Sequence, residues 1–224
     1  MSTISQPADL APLIDHTILR PDATEAQVQR FCDEALQYGF HSVCVNPVRV
    51  PVVVRHGVVA CSVVGFPFGA TRSSVKAKEA AQAVADGARE IDMVIDIGAL
   101  KDGAHAVVAA DIAAVRRAGA DVLLKVIIEA CLLDDAEKET ACRLAVESGA
   151  DFVKTSTGYS SGGATLPDVT LMRRVVGERV GVKAAGGVRD FATAMAMIAA
   201  GATRLGTSSG VALVTSAAVP VGSY

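Results

Sequence analysis

The phrase Gly-Ala-x ahead of an apolar run recurs along this chain, as Gly87-Ala88-Arg89, Gly119-Ala120-Asp121, Gly149-Ala150-Asp151 and Gly201-Ala202-Thr203, with Tyr38-Gly39-Phe40 and Val180-Gly181-Val182 as variants. Most of these glycines stand about 30 residues apart, the length of one strand-and-helix unit. A glycine just past a helix end takes the left-handed conformation that side chains disfavour, and an apolar strand following at once marks a helix-to-strand junction. Each helix returns the chain to the same end of the sheet, so a chain of such units lays its strands parallel.

Short β-branched runs supply eight strands, at 13–17, 41–46, 58–66, 90–97, 122–129, 152–157, 182–185 and 204–207. Apolar residues at helical spacing fill 24–38, 73–86, 104–118, 135–148, 166–176 and 190–200, with Thr24, Asp135 and Asp190 as capping residues. A weaker helical stretch follows Asn46-Pro47. Eight alternating units predict an α/β fold, a single (β/α)8 TIM barrel, with an open doubly wound sheet as the alternative. No Pro/Ser-rich linker or charge block interrupts the 224 residues. Residues 1–224 therefore read as one domain, with 1–10 and 215–224 as flexible termini.

Aromatic residues make up only 4% and tryptophan is absent, so the core must be close-packed from small aliphatic side chains. A net charge of -3 provides no basic face, which argues against nucleic acid and an anionic membrane as partners. There is no apolar stretch of about 18 residues and no basic-then-apolar leader in 1–10. Cys32, Cys44, Cys61, Cys131 and Cys142 are an odd set without a CxxC pair or adjacent histidine, which predicts neither disulfides nor a zinc site. Together these features predict a soluble cytoplasmic protein. A lean barrel with an apolar exterior further predicts a homodimer.

Lysine is where the chain departs from expectation. It has seven lysines against fourteen arginines, and Lys125, Lys154 and Lys183 all sit in strand-like apolar runs. An ammonium removed from water is costly unless paired, and loss of its proton leaves a neutral nucleophilic amine, as a Schiff-base enzyme requires. Edge-strand lysines with their heads in water are the structural alternative.

In a parallel barrel the chemistry gathers at the carboxyl ends of the strands. Reading those ends together gives Asp15, His16 and Thr17; Cys44 and Asn46; Asp92 and Asp96; Lys125 and Glu129; Lys154 and Thr155; and Lys183. Period-two alternation puts Glu90, Asp92, Val94 and Asp96 on one face, and Leu123, Lys125, Ile127 and Glu129 on another. If both faces point inward, carboxylates and ammoniums meet in the lumen. Lys154, Lys183 and Asp92 are the favoured chemical set, the two lysines depressing one pKa by mutual repulsion. Asp96, Lys125 and Glu129 read equally as structural ion pairs, His16 as a hydrogen-bonded structural histidine, and Cys44 as a small buried hydrophobe. Gly186-Gly187-Val188-Arg189 and Gly206-Thr207-Ser208-Ser209-Gly210 follow strands seven and eight, where backbone N–H groups and hydroxyls form an anion site in this fold.

The runs Leu13-Ile14-Asp15-His16-Thr17, Ser42-Val43-Cys44-Val45-Asn46-Pro47, Gly65-Phe66-Pro67-Phe68-Gly69, Glu90-Ile91-Asp92-Met93-Val94, Leu124-Lys125-Val126-Ile127-Ile128-Glu129, Phe152-Val153-Lys154-Thr155-Ser156-Thr157-Gly158 and Val182-Lys183-Ala184-Ala185-Gly186-Gly187-Val188-Arg189 together resemble the deoxyribose-phosphate aldolase family of metal-independent class I aldolases. The resemblance runs from about Leu13 to Gly210. It implies reversible cleavage of 2-deoxy-D-ribose 5-phosphate to D-glyceraldehyde 3-phosphate and acetaldehyde, with small-molecule aldehyde and phosphosugar substrates and no metal or cofactor. Lys154 would be the Schiff-base lysine, Lys183 the lysine that perturbs it, and Asp92 a proton donor and acceptor. Asp15, Thr17, Cys44, Lys125, Thr155 and Tyr224 would support them. Gly158, Gly186, Gly187, Ser208 and Ser209 would hold the phosphate. Many relatives carry lysine after the glycine of Lys-Thr-Ser-Thr-Gly, where this chain has Tyr159, which implies a weaker preference for the phosphorylated sugar. A non-covalent phosphosugar isomerase or synthase, and a non-catalytic sugar-phosphate binding protein, are the rival readings.

Overall fold

In the computed structural model, which describes residues 4–215, every strand pairs in parallel with the next, and the first also pairs with the eighth. The strands are β1 (Ile14–Ile18), β2 (Ser42–Val45), β3 (Ala60–Val64), β4 (Glu90–Val94), β5 (Leu123–Ile127), β6 (Phe152–Lys154), β7 (Gly181–Ala185) and β8 (Arg204–Thr207). Closure of the sheet makes the (β/α)8 barrel and leaves no edge strand, so the open-sheet alternative falls.

The helices are α1 (Glu25–Tyr38), α2 (Val50–Arg55), α3 (Ser73–Ala85), α4 (Ile97–Lys101), α5 (His105–Ala118), α6 (Asp135–Glu147), α7 (Leu166–Val176), α8 (Phe191–Ala199) and α9 (Gly210–Thr215). Local chemistry sets their ends. Thr24 and Gln27 form a reciprocal capping box at the start of α1, and Gly39, left-handed at φ 75°, closes it. Asp190 caps α8 through the Thr193 N–H at 2.8 Å. The cap of α6 is Asp134 rather than Asp135, because Asp134 reaches the Glu137 N–H while Glu137 reaches back to the Asp134 N–H.

The apolar core lies between the strands and the helix ring, built mainly from valine, alanine, isoleucine and leucine. Inside the barrel a small apolar group, Leu19, Cys44, Cys61 and Val63, occupies the β1–β3 side. Buried charged side chains, Asp15, Glu90, Asp92, Lys125, Lys154, Lys183 and Arg204, lie on β1 and β4 through β8. At the amino-terminal end of the strands, Phe152 packs against the bare backbone of Gly181, where a Cβ would lie 2.2 Å from the ring, and the Arg204 guanidinium stacks 5.2 Å from the Phe152 ring centroid. Pro7–Leu13, which overlap the 1–10 segment expected as a flexible terminus and reach Leu13 of the expected first strand, form a 3-10 helix with Leu10 fully buried.

Five of the expected strands end early, β2 without residue 46 and β3 without residues 65–66 among them. Residues 95–97, 128–129 and 155–157 were grouped with β4, β5 and β6 by their apolar or β-branched character, yet they turn away to build the loops at the barrel mouth. Asp96 is thereby removed from the lumen face and instead caps α4, accepting from the Ala99 N–H at 3.0 Å.

Candidate active site

Period two along the strands and the parallel register bring the charged residues into one layer. Asp92 stands opposite Lys125 across β4 and β5, Lys154 opposite Lys183 across β6 and β7, and Lys183 opposite Arg204 across β7 and β8. Asp92 is the hub. Its Oδ1 accepts from Lys125 Nζ at 2.7 Å and from the Cys61 thiol at 3.2 Å, while its Oδ2 accepts from Lys154 at 2.8 Å and Lys183 at 2.7 Å. Asp15 accepts from Lys183 at 2.5 Å, Arg204 at 2.8 Å and the Ser42 hydroxyl at 2.8 Å. Glu90 lies below, 2.6 Å from Lys125, 3.1 Å from Arg204 and 2.7 Å from the His41 imidazole.

Four potential cations (Lys125, Lys154, Lys183, Arg204) thus share three carboxylates (Asp15, Glu90, Asp92) with almost no water. Burial by itself would raise each carboxyl, but the cations outweigh it. Asp92 is held well below the usual range by Lys125, Lys154 and Lys183, as is Asp15 by Lys183, Lys125 and Arg204. For Glu90, the His41 hydrogen bond and the Lys125 charge overcome burial and bring the carboxyl down to about 2. Burial would likewise lower Lys125 and Lys183, yet the facing carboxylates push both above the ordinary lysine value. For Lys183 this reverses the direction expected from lysine–lysine repulsion alone, because Asp15 and Asp92 sit closer to it than any other charge.

Above the cluster opens a cleft of about 270 Å³, walled by the loops after β6, β7 and β8. Lys154 forms part of its lining, together with Thr17, Leu19, Gly158, Tyr159, Gly186, Gly187, Arg189 and Ser208. Lys183, Lys125 and Asp92 do not reach it. Gly158 and Gly187 both have left-handed backbone, at φ 85° and 84°, and a Cβ on either would meet nothing within 4 Å, so bare backbone faces open space. Gly186 is held differently: it lies against Gly163, where a Cβ would stand 2.9 Å from that Cα, and the Ala164 N–H donates to its carbonyl at 2.9 Å.

The remaining expected residues fall into supporting places. Thr17 donates to the Asp15 carbonyl at 2.8 Å, and Thr155 ties β6 to Ala185 of β7 through two hydrogen bonds. Cys44 is fully buried beside Cys61. Ser209 is buried behind the cleft, its N–H bonded to the Thr207 hydroxyl. His16 pairs with Glu34 at 2.6 Å and stacks on Phe31, a structural role. Tyr224 lies outside the described residues. Arg204 and Cys61 entered no sequence-based site, although Arg204 opens β8 on the same parity as the other inward charges. Cys44, Cys61 and Asp92 come close enough to converge on one ion, but ammonium groups already engage both Asp92 oxygens.

A closed parallel barrel with an amine-and-carboxylate centre beneath a glycine-walled cleft at the carboxyl ends of its strands defines a barrel enzyme. Comparison with known proteins makes the class specific. The chain belongs to the DeoC/LacD family of aldolases, whose profile matches residues 10–215. A deoxyribose-phosphate aldolase of Rhodospirillum rubrum is 60% identical over 94% of this chain and 90% of its own length, and one of Brevibacillus brevis is 56% identical over 91% and 94%. A solved deoxyribose phosphate aldolase of Aeropyrum pernix, described as tetrameric, superposes with a TM-score of 0.85 at 34% identity, covering 94% of this chain and 92% of that one. Among the described residues no helix is long and apolar enough to cross a membrane.

Proposed function

We propose that this enzyme reversibly cleaves 2-deoxy-D-ribose 5-phosphate to D-glyceraldehyde 3-phosphate and acetaldehyde through a Schiff base on Lys154. One observation carries the choice of lysine: of the three in the lumen, only Lys154 lines the cleft. Its neutral amine attacks the aldehyde carbon of the open-chain sugar, and loss of water gives an iminium. The bond between the second and third carbons then breaks. Its electron pair forms the enamine double bond while the iminium π pair returns to nitrogen, and the third carbon becomes the aldehyde of the leaving fragment.

The iminium carries one positive charge, which the Asp92 carboxylate 2.8 Å from the Lys154 nitrogen stabilises, and carbon–carbon cleavage removes that charge. Asp92, 2.8 Å from Lys154 and shared with Lys183, keeps the cation paired and links the two amines for proton transfer. Fully buried and engaged on both oxygens, it does so without touching the sugar. The proton from the third-carbon hydroxyl enters this chain through a cleft water. The enamine is protonated at its terminal carbon, and hydrolysis releases acetaldehyde.

Gly158, Gly186, Gly187, Ser208 and Arg189 form the phosphate end of the cleft. Tyr159, whose ring meets that of Phe66 edge to face with centroids 5.4 Å apart, stands where many relatives carry a lysine, which supports a weaker demand for phosphate. A homodimer in the cytoplasm is the proposed assembly and location, and light scattering distinguishes it from a tetramer like that of the Aeropyrum relative. The deciding experiment for the chemistry is borohydride reduction with acetaldehyde, followed by peptide mapping. An ethyl adduct on Lys154 is expected. A folded protein without an adduct would replace the covalent reading with a non-covalent phosphosugar isomerase or synthase.

A further inference from the structure

Glu129 takes no part in the chemistry above, yet it has the least ordinary backbone in the molecule. It is the only non-glycine residue among the described ones with positive φ, at 45°, a conformation that L side chains avoid. The left-handed turn ends β5 just where the Ile128 N–H has bonded the Lys154 carbonyl at 3.1 Å, and it sends the Ala130 N–H to the Thr155 carbonyl at 2.8 Å. Its side chain is thereby placed under the loop that follows β6.

The carboxylate is 1% exposed and, among the described residues, forms no ion pair. It accepts instead from the Thr157 N–H at 3.2 Å, the Thr157 hydroxyl, the Ser160 hydroxyl at 2.9 Å and, more distantly, the Cys131 thiol at 3.9 Å. The Thr157 hydroxyl also accepts from the Tyr159 N–H at 3.0 Å, so both flanks of Gly158 hang on this one side chain. Gly158 itself presents bare backbone to the cleft. A buried carboxylate whose N–H and O–H donors, among the described residues, all come from a single loop, at a strained backbone position, marks a geometry that the fold maintains at a cost.

We propose that Glu129 is a positioning residue for the phosphate end of the cleft: it fixes the 157–160 loop so that the Gly158 backbone stands where the substrate's phosphate is held. The role rests on the reading of the glycine loops given above. It predicts a split between substrates that a general structural role would not produce, since the amine centre below is held by other residues.

The test compares Glu129→Gly with Glu129→Gln in the full chain, measuring kcat and KM for 2-deoxyribose 5-phosphate and for unphosphorylated 2-deoxyribose, and inhibition by inorganic phosphate. Glycine suits the left-handed backbone and removes the acceptor together with its two methylenes, whereas glutamine keeps the volume. For Glu129→Gly, KM for the phosphorylated sugar and the phosphate inhibition constant should rise roughly tenfold, and kcat/KM for the plain sugar should stay within about twofold. Glu129→Gln, which keeps one carbonyl acceptor and the side-chain volume, should fall between that variant and the parent, and it decides the matter if the glycine variant does not fold. Equal effects on both sugars, or an unchanged phosphate inhibition constant, would overturn the proposal. A lower phosphate inhibition constant in Glu129→Gln would also overturn it, by showing that Glu129 acts through charge repulsion. If the parent enzyme fails to turn over 2-deoxyribose 5-phosphate, the function proposed above fails; if it succeeds and the variants show no split, only the Glu129 role fails.

Discussion

Two buried lysine sites in this molecule follow opposite rules. Lys76 of α3 is fully buried between the barrel and the helix ring, where it pairs with Asp111 of α5 at 2.6 Å and donates to the Val94 carbonyl at 2.8 Å. One cation meets one carboxylate, with no opening. In the lumen, by contrast, four potential cations share three carboxylates and one amine, that of Lys154, faces a cleft. Burial alone therefore does not make a lysine reactive. We propose that access from one side does, because the opening beside Lys154 lets an aldehyde reach its amine.

The sharpest way to break the comparison is to remove the exposed amine. Lys154→Arg keeps the charge but cannot form a Schiff base, so turnover should fall at least about a thousandfold and the borohydride adduct should vanish while the fold is retained. Next comes the hub. Asp92→Asn leaves the ammonium groups without their shared carboxylate and should cut kcat by roughly a hundredfold, with a lowered melting temperature, by steady-state assay and calorimetry.

At the other lysine the expected effect is on stability. Lys76→Met leaves Asp111 buried without its cation and should cost about 3 to 5 kcal/mol in urea unfolding, with kcat per folded molecule unchanged. Adding Asp111→Leu should recover most of that loss, because the double variant buries no unpaired charge. A large loss of kcat in Lys76→Met would mean that the two sites are coupled and the contrast is false.

Acid gives the mildest test. The lumen carboxyls titrate lower in the folded state than in the unfolded chain, so the stability they contribute is complete above the unfolded value and is lost as pH falls through the folded one. For Glu90 the window runs from about 4.3 unfolded to about 2 folded. Glu90→Gln should therefore lower stability most near neutrality, where the parent holds this contribution in full, and flatten the acid-unfolding curve between those limits, so that the gap to the parent narrows as pH falls.

Much of this was legible before any coordinates. The glycine junctions located the helix ends, and all eight strands lie where β-branched runs occur. The errors fall at the carboxyl ends. Asp96, Glu129 and Thr157 continue apolar or β-branched runs, so local pattern extended β4, β5 and β6 through them, whereas cross-strand demands of the barrel mouth turned them into caps and loop supports. Lys76 was missed for the opposite reason. It sits two residues from Lys78 on an otherwise ordinary amphipathic helix, and nothing nearby in sequence announces Asp111, 35 positions away.

By itself the sequence determined the repeating strand-and-helix unit, the number of units, and the presence of lysines too deep in apolar runs to be ordinary surface charges. These are local properties, set by glycine's backbone freedom and by hydrophobic periodicity. Only the tertiary structure decided which carboxylate each lysine meets and which amine opens to the cleft. Asp15 and Lys183 are 168 positions apart and meet at 2.5 Å only because β1 and β8 pair to close the barrel. Charge balance in the lumen is a property of that closure, and no stretch of the chain contains it.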